Sequence, residues 1–380
     1  MNKISLQKFH TSPTTLAMVA VLIVGACYED IRVTVDSYPE EDSKGTAKSM
    51  TKTRGGNGAN SAVVLAQLLS RRPTLGTVHF MSTLPVEDSS NQFIFHDLRK
   101  YNVQIDASTN WISDDPSAKV PQAIIVLSES THSRTILSHN PLPPTPVSCF
   151  QSFVSSDDAK KELQWIHFEG RSIAETTEMM ETCYHNDDNL TVSVELEKPY
   201  REGIDALASF SDVCFFSKVM MKARCQEWGI CEISEETRDL KLFVSEFFTS
   251  FHKRIISRGL SSSMERRRYV VTWGELGAFA ADLDKDGVIS GTIHHAPIVQ
   301  YPGRSIVDTN GAGDTFIGAF IYFSQEKQYS LGYILEKATR VATFKCTITG
   351  FDLLNLVGFP FLSSTIIYIS YIYTLMRFPY

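Results

Sequence analysis

The chain has 380 residues, 43% of them hydrophobic and 21% charged, with a formal net charge of −7. That length holds one large or two ordinary domains with a sizeable core. The acidic balance argues against a dedicated nucleic-acid binder, which is basic as a rule, but not against an anionic ligand held by a local nest of backbone amides.

Lys3 and Lys8 precede an apolar run at 16–27, as in a signal peptide, and 22–27 has the form of a lipoprotein cleavage box. Residues 18–25 read equally as a buried parallel strand that ends in a glycine turn. Asp30 is followed by alternation across 31–36, the pattern of an exposed strand, and 38–53 is polar and turn-rich. Arg54-Gly55-Gly56-Asn57-Gly58-Ala59-Asn60-Ser61 then opens a helix with Val63, Val64, Leu65, Leu68 and Leu69 on its apolar side. The tight glycines let this helix start approach a ligand, and Asn57 and Asn60 offer donors and acceptors to the same opening. A plain N-cap is the structural alternative.

A short strand at 77–82 and a helix over 92–101, with Phe93, Ile94, Phe95 and Leu98 inward, come next. Two strands at 123–127 and 134–137 flank a polar turn, and 141–146 is a proline-rich surface connection. Buried strands at 165–168, 191–196, 213–216 and 269–273 alternate with helical stretches, the mark of a parallel sheet covered by helices. Phe243, Phe247, Phe248 and Phe251 recur at helical spacing and mark a core face. Glu265-Arg266-Arg267-Arg268 reads as a solvated turn. His294-His295, with no partner at metal spacing, reads as a surface strand. The seven cysteines (Cys27, Cys149, Cys183, Cys214, Cys225, Cys231, Cys346) have no paired spacing. That suits reduced thiols in an intracellular protein better than a disulfide frame or a zinc site.

The stretch Asp308-Thr309-Asn310-Gly311-Ala312-Gly313-Asp314-Thr315-Phe316 is a small-residue turn that runs into an apolar helix. Gly311, Ala312 and Gly313 leave amides uncovered where the helix begins, which offers an anion several donors and the positive end of the helix dipole. Asp314 sits in that hole, beside the place a phosphate would lie, where it can accept a proton from a hydroxyl. Taken alone, the motif is also compatible with a glycine-rich cap that carries a first-turn charge.

With Asp-Thr, one free position, Gly-Ala-Gly-Asp and a run of small and apolar residues, 308–321 resembles the signature of the ribokinase-type (pfkB) carbohydrate kinases. The order of the strand ending near Asp30, the Gly-Gly-Asn helix start and the late GAGD helix is also similar to that family. Within it, stretches at 38–43, 54–57, 133–137, 165–171, 192–199, 212–218, 273–278 and 350–352 are most similar to the ketohexokinase branch. The resemblance covers roughly 20–352 and favours the strand reading of the N-terminal run. It implies an α/β fold, a ribokinase-like three-layer sandwich with a central mostly parallel sheet and a small β lid. The kinase domain would span 18–352, with the lid from about 31–53 and 105–137.

The implied activity is ATP-dependent phosphorylation of a ketose such as fructose at its 1-hydroxyl, in a cytoplasmic homodimer whose lids clasp, with Mg2+ accompanying ATP and no nucleic-acid partner. Another sugar or a nucleoside is the alternative acceptor. By the same resemblance Asp30, Gly56, Asn57 and Asn60 bind the sugar, and Arg134, Gly274, Glu275, Leu276 and Gly277 bind the nucleotide. Gly311, Ala312 and Gly313 hold the transferred phosphoryl, with Asp314 as general base. Three departures stand out. Ser217-Lys218-Val219-Met220 replaces the Asn-x-x-Glu motif of many relatives, which leaves the metal's protein contacts unassigned. Leu276 stands where an acidic residue is expected, and 224–263 is longer than expected, as in a surface insertion.

Residues 353–376 carry no charge and have the length of a membrane span, but Asn355, Gly358, Pro360, Ser363 and Ser364 interrupt it. This tail reads as the product of a wrong gene model, as an anchor, or as an apolar segment packed on the body. If it disrupts the fold, an inactive or membrane-anchored sugar-binding protein is the reading from another functional class.

Overall fold

The computed structural model describes residues 19–353 except 72–75, 90, 106–110, 114, 116, 132, 185–188, 231–238 and 258–265. The N-terminal basic residues and the apolar tail beyond 353 lie outside the described residues.

Strand β1 (Val19–Val24) is apolar along its whole length, because both of its faces are covered. Val21 and Ile23 enter one core; Leu22 and Val24 enter the other. The chain then leaves this sheet for the lid through β2 (Tyr28–Val35) and β3 (Ser49–Gly55), and returns in α1 (Asn57–Ser70) and β4 (Gly76–Met81). The minor pair β5 (Thr83–Leu84) and β7 (Trp111–Ile112) brackets α2 (Gln92–Lys100) and β6 (Val103–Gln104). Strands β8 (Gln122–Ser128) and β9 (Arg134–His139) complete the lid. The remaining units are α3 (Val147–Val154), α4 (Asp157–Glu162), β10 (Leu163–Glu169), α5 (Ile173–Tyr184), β11 (Thr191–Leu196), β12 (Val213–Ser217) and α6 (Lys218–Glu227). They are followed by α7 (Leu240–Ser257), β13 (Arg266–Thr272), β14 (Ala278–Asp284), β15 (His294–Ala296), α8 (Ala312–Ser324) and α9 (Leu331–Lys345).

The large sheet has the order β15-β14-β13-β12-β11-β10-β1-β4-β6. It is parallel from β13 to β6 and antiparallel only where β14 and β15 close the far edge. Helices α1, α8 and α9 pack on one face; α3, α5, α6 and α7 pack on the other. This is the expected three-layer, ribokinase-like α/β architecture.

The lid is a four-stranded sheet of order β3-β2-β8-β9. Side chains alternate across a strand, so Asp30 and Arg32 share one face of β2 and Ile31 and Val33 the other. The register Asp30–Ala123–Ser138 and Arg32–Ile125–Ile136 therefore faces the large sheet. The outer face carries two apolar rows, Ile31–Ile124–Leu137 and Met50–Val33–Val126.

Some expectations are corrected here. The polar stretch 38–53 is not turn throughout, because residues from Ser49 onward pair with β2; the lid tolerates polar strands where one face meets water. The Arg266–Arg268 cluster is not a solvated turn. It starts β13, with Arg268 directly opposite Asp282 on β14 and both Arg266 and Arg268 paired to that carboxylate. Arg267 is 3% exposed and donates to the Ser209 carbonyl at 2.7 Å. Nor is 224–263 a surface insertion as a whole: α7 buries Phe247, Phe248 and Phe251 around Phe216 and Tyr269, and Phe243 against Trp273. His294–Ala296 does form an edge strand, with the exposed His295 ring stacked on Phe279 at 4.2 Å. Among the described residues the cysteines are free thiols, and no helix is long and apolar enough to cross a membrane.

Candidate active site

Between the lid and the carboxyl ends of the parallel strands lies a cleft of about 470 Å³, the place where open α/β sheets put their ligands. Two helices aim their N-termini into it. Helix α1 begins after Gly56, whose φ of 93° places it in the region that favours glycine; a Cβ there would come within 2.2 Å of the Ala26 carbonyl. Helix α8 begins after Gly311, at φ 73°, where a Cβ would fall 2.1 Å from the Phe351 ring. Both glycines are required by backbone shape and by the close approach of a neighbour.

The cleft brings together Asp30, Gly56, Asn57, Asn60, Arg134, Gly311, Ala312, Gly313 and Asp314 from four separate stretches of sequence. The amides of the first α8 turn have no intrahelical acceptor. That of Ala312 is partly occupied, donating to the Thr309 carbonyl at 3.3 Å, so Gly311, Gly313 and Asp314 are the better-placed donors. Gly274, Glu275, Leu276 and Gly277 are not among the residues lining the cleft. They form the turn from β13 to β14, where Glu275 pairs with Lys218 at 2.8 Å and Leu276 is 42% exposed.

Asp314 is buried at the third position of α8, with Oδ2 accepting from Asn60 Nδ2 at 2.6 Å. Burial drives its pKa from 3.8 up to about 7; the Asn60 hydrogen bond opposes this, while Glu197 and Glu169 add to it. A carboxyl poised near neutrality in a cleft is suited to general-base work. Asn60 is itself set by Arg54, which donates to its side-chain oxygen and, through Nε, to Asp97 at 2.7 Å. Burial likewise lifts Asp30 to about 6, against the pull of Arg32 and Arg54. Its carboxylate lies over Gly55, where any Cβ would sit 2.0 Å from Oδ1.

Several residues that sequence reasoning left without a role line this cleft or, in the case of Glu169, lie just behind it. Asn57 Nδ2 bridges the carboxylates of Glu195 and Glu197 at 3.1 and 3.0 Å. Burial, then the charges of Glu197, Asp314 and Glu169, push Glu195 well above the usual carboxylate range. Glu169, at the end of β10, accepts from the Ala26 amide at 3.0 Å and from Arg171 Nε at 2.7 Å. Although its burial works the other way, Arg171, the Ala26 amide and Arg201 hold Glu169 below its ordinary value. Charged residues closing otherwise apolar buried strands, at 169, 195 and 197, were the available signal. Ser217, in place of the missing Asn, caps α6 by accepting from the Met220 amide at 2.9 Å and donates to the Glu197 carbonyl at 2.7 Å.

The sequence pattern of the pfkB family carbohydrate kinases matches residues 18–225 and 238–354. The chain belongs to the pfkB family of carbohydrate kinases. As a member it is an ATP-dependent sugar kinase, and the one internal stretch outside the match is 226–237. It is 31% identical to ketohexokinase of Mus musculus over 342 residues, which covers 87% of this chain and 97% of that protein. The fold is similar to that of adenosine kinase from Schistosoma mansoni, solved with 2-fluoroadenosine, at TM-score 0.66 and 16% identity over 88% of this chain and 96% of that one. Ribokinase from Giardia lamblia is similar at TM-score 0.65 and 17% identity, again over 88% and 96% of the two chains.

Proposed function

We propose that this pfkB-family kinase transfers the terminal phosphoryl of ATP to a ketose, with fructose at its primary 1-hydroxyl as the acceptor. The observation that carries the reading is one cleft lined by Asp30, Asn57, Asn60 and Asp314, in a chain that matches a ketohexokinase over nearly all of that protein's length. Asp30 and the two asparagines offer hydroxyl partners in a site where a missing sugar hydroxyl would leave a buried polar group unpaired.

Asp314 takes the proton of the attacking hydroxyl, and the α8 amides receive the charge that builds on the phosphoryl oxygens. Arg134 reaches in from the lid toward the nucleotide phosphates, and the 274–277 turn flanks the nucleotide at the far end of the strands. Among the described residues no cluster of three or more His, Cys, Asp or Glu could cage a metal ion. That agrees with magnesium, which keeps several waters and takes one or two carboxylates plus the substrate's phosphates. Glu195 and Glu197 are the acidic groups the cleft offers it. Bound there, the ion would neutralise phosphate charge.

The apolar outer rows of the lid, with Met50, Ile124 and Leu137 at 67, 43 and 60% exposure, support a homodimer in which two lids cover each other. Free thiols fit a cytoplasmic enzyme. The deciding experiment is a coupled ADP-release assay with fructose, tagatose, ribose and adenosine. Fructose should give the highest kcat/KM; an enzyme inert on fructose but active on ribose or adenosine overturns the assignment.

A further inference from the structure

Asp308, the first residue of the signature, does not line the cleft; it joins three parts of the molecule behind it. Arg32 Nη2, from the lid, donates to its Oδ1 and Oδ2 at 3.1 and 3.2 Å. The Asn310 amide donates to Oδ1 at 3.0 Å and the Gly350 amide to Oδ2 at 3.3 Å. Lys345, at the end of α9, places its ammonium 3.3 Å from Oδ2. The same ammonium donates to the Asp308 carbonyl at 3.1 Å and to the Asn310 carbonyl. The side chains of Arg32, Asp308 and Lys345 are 12, 10 and 0% exposed, so this is an interior charge cluster and not a surface ion pair.

Two consequences follow from the geometry. A trans peptide is rigid, with its carbonyl and N–H pointing in opposite directions. By drawing the Asn310 carbonyl toward α9, Lys345 turns the Gly311 amide the other way, toward the cleft. Arg32, for its part, lies two residues from Asp30 on the same face of β2, so the strand that carries the sugar-facing carboxylate also carries the arginine that grips Asp308.

We propose that Arg32 and Lys345 are positioning residues for the anion hole. Lys345 is the fixed inner cation that sets the 308–311 turn, and Arg32 is a second brace that ties the turn to the lid strand carrying Asp30. This inference rests on the proposed role of Asp30 in holding the sugar. Removing Arg32 leaves Asp308 still paired to Lys345, so the fold survives the variant.

The test compares Arg32→Met and Arg32→Lys with the wild type. In the ligand-free protein, amide exchange across 308–316 should speed up in Arg32→Met and return toward wild type in Arg32→Lys. With fructose and ATP, kcat should fall by about 10- to 100-fold in Arg32→Met, the scale of a small misplacement, while the fructose Kd from calorimetry changes less than about threefold; Arg32→Lys should recover most of the rate. Unchanged exchange and unchanged kcat in Arg32→Met overturn the proposal, as does a rate loss matched by an equal loss of fructose affinity. A wild type inert on fructose overturns the substrate reading instead, and the exchange comparison, which needs no substrate, still decides the brace.

Discussion

Replacing Asp314 with Asn should make the enzyme more stable and nearly inactive, and the pH dependence of that gain tests how the carboxyl is held. Asn is nearly isosteric and its side-chain oxygen can still accept from Asn60, so what changes is the charge. A folded-state pKa raised from 3.8 to about 7 means the folded protein holds this proton more tightly than the unfolded chain does. Relative to the variant, the wild type therefore loses stability as pH rises through that window, and the loss is complete above about pH 7. At roughly 1.4 kcal/mol per pH unit the ceiling is about 4 kcal/mol, and Glu195, relieved of a neighbouring charge, adds in the same direction. Thermal unfolding at pH 5 and pH 8.5 should give Asp314→Asn a Tm advantage of several degrees at the higher pH and less than half of it at the lower. Turnover should drop by roughly 10²–10⁴-fold, the range of a general base, and wild-type kcat/KM should rise with pH toward a plateau above about 7. A variant less stable than wild type at pH 8.5, or an advantage that does not change with pH, would refute the reasoning.

Gly311→Ala combines a positive φ with a Cβ 2.1 Å from the Phe351 ring, and should lower Tm and cut turnover by at least about 10²-fold; a variant of normal Tm and rate would show that the turn relaxes freely. Gly55→Ala crowds the Asp30 carboxylate at 2.0 Å and should raise the fructose KM by about tenfold with a smaller effect on kcat, as read from initial-rate kinetics. Asn57→Ala removes the donor shared by Glu195 and Glu197, so Glu195 is pushed further up. The destabilisation, about 1–3 kcal/mol, should be larger at pH 8 than at pH 5 in denaturant titrations.

The sheet was legible because β1 and β12 are almost wholly apolar and the later strands carry short apolar cores, a composition that suits strands covered on both faces. The two glycine helix starts were legible as well, since a positive φ restricts the choice of residue. What stayed hidden was pairing between segments far apart in sequence. The strand character of 49–55 comes from its partner β2, not from its own polar residues. Arg267 looked like part of a surface charge run because the Ser209 carbonyl that receives it is 58 positions away. Lys345 carried a readable clue: it lies four residues after Val341 and seven after Ala338, on the buried stripe of α9, where a lysine is out of place unless something inside needs a cation.

The Gly350-Phe351-Asp352 stretch has a bearing on when the enzyme is made competent. The Phe351 ring lies against Gly311, between Arg54 and Lys345 at 5.0 and 5.1 Å. Gln67 of α1 fastens the segment, donating to the Phe351 carbonyl at 2.7 Å and accepting from the Leu353 amide at 2.9 Å. The ribosome delivers these residues long after the lid and both glycine turns have emerged. A nascent chain that has folded its sheet around β1 and β10 still lacks the wedge and the cation that shape the 308–311 turn.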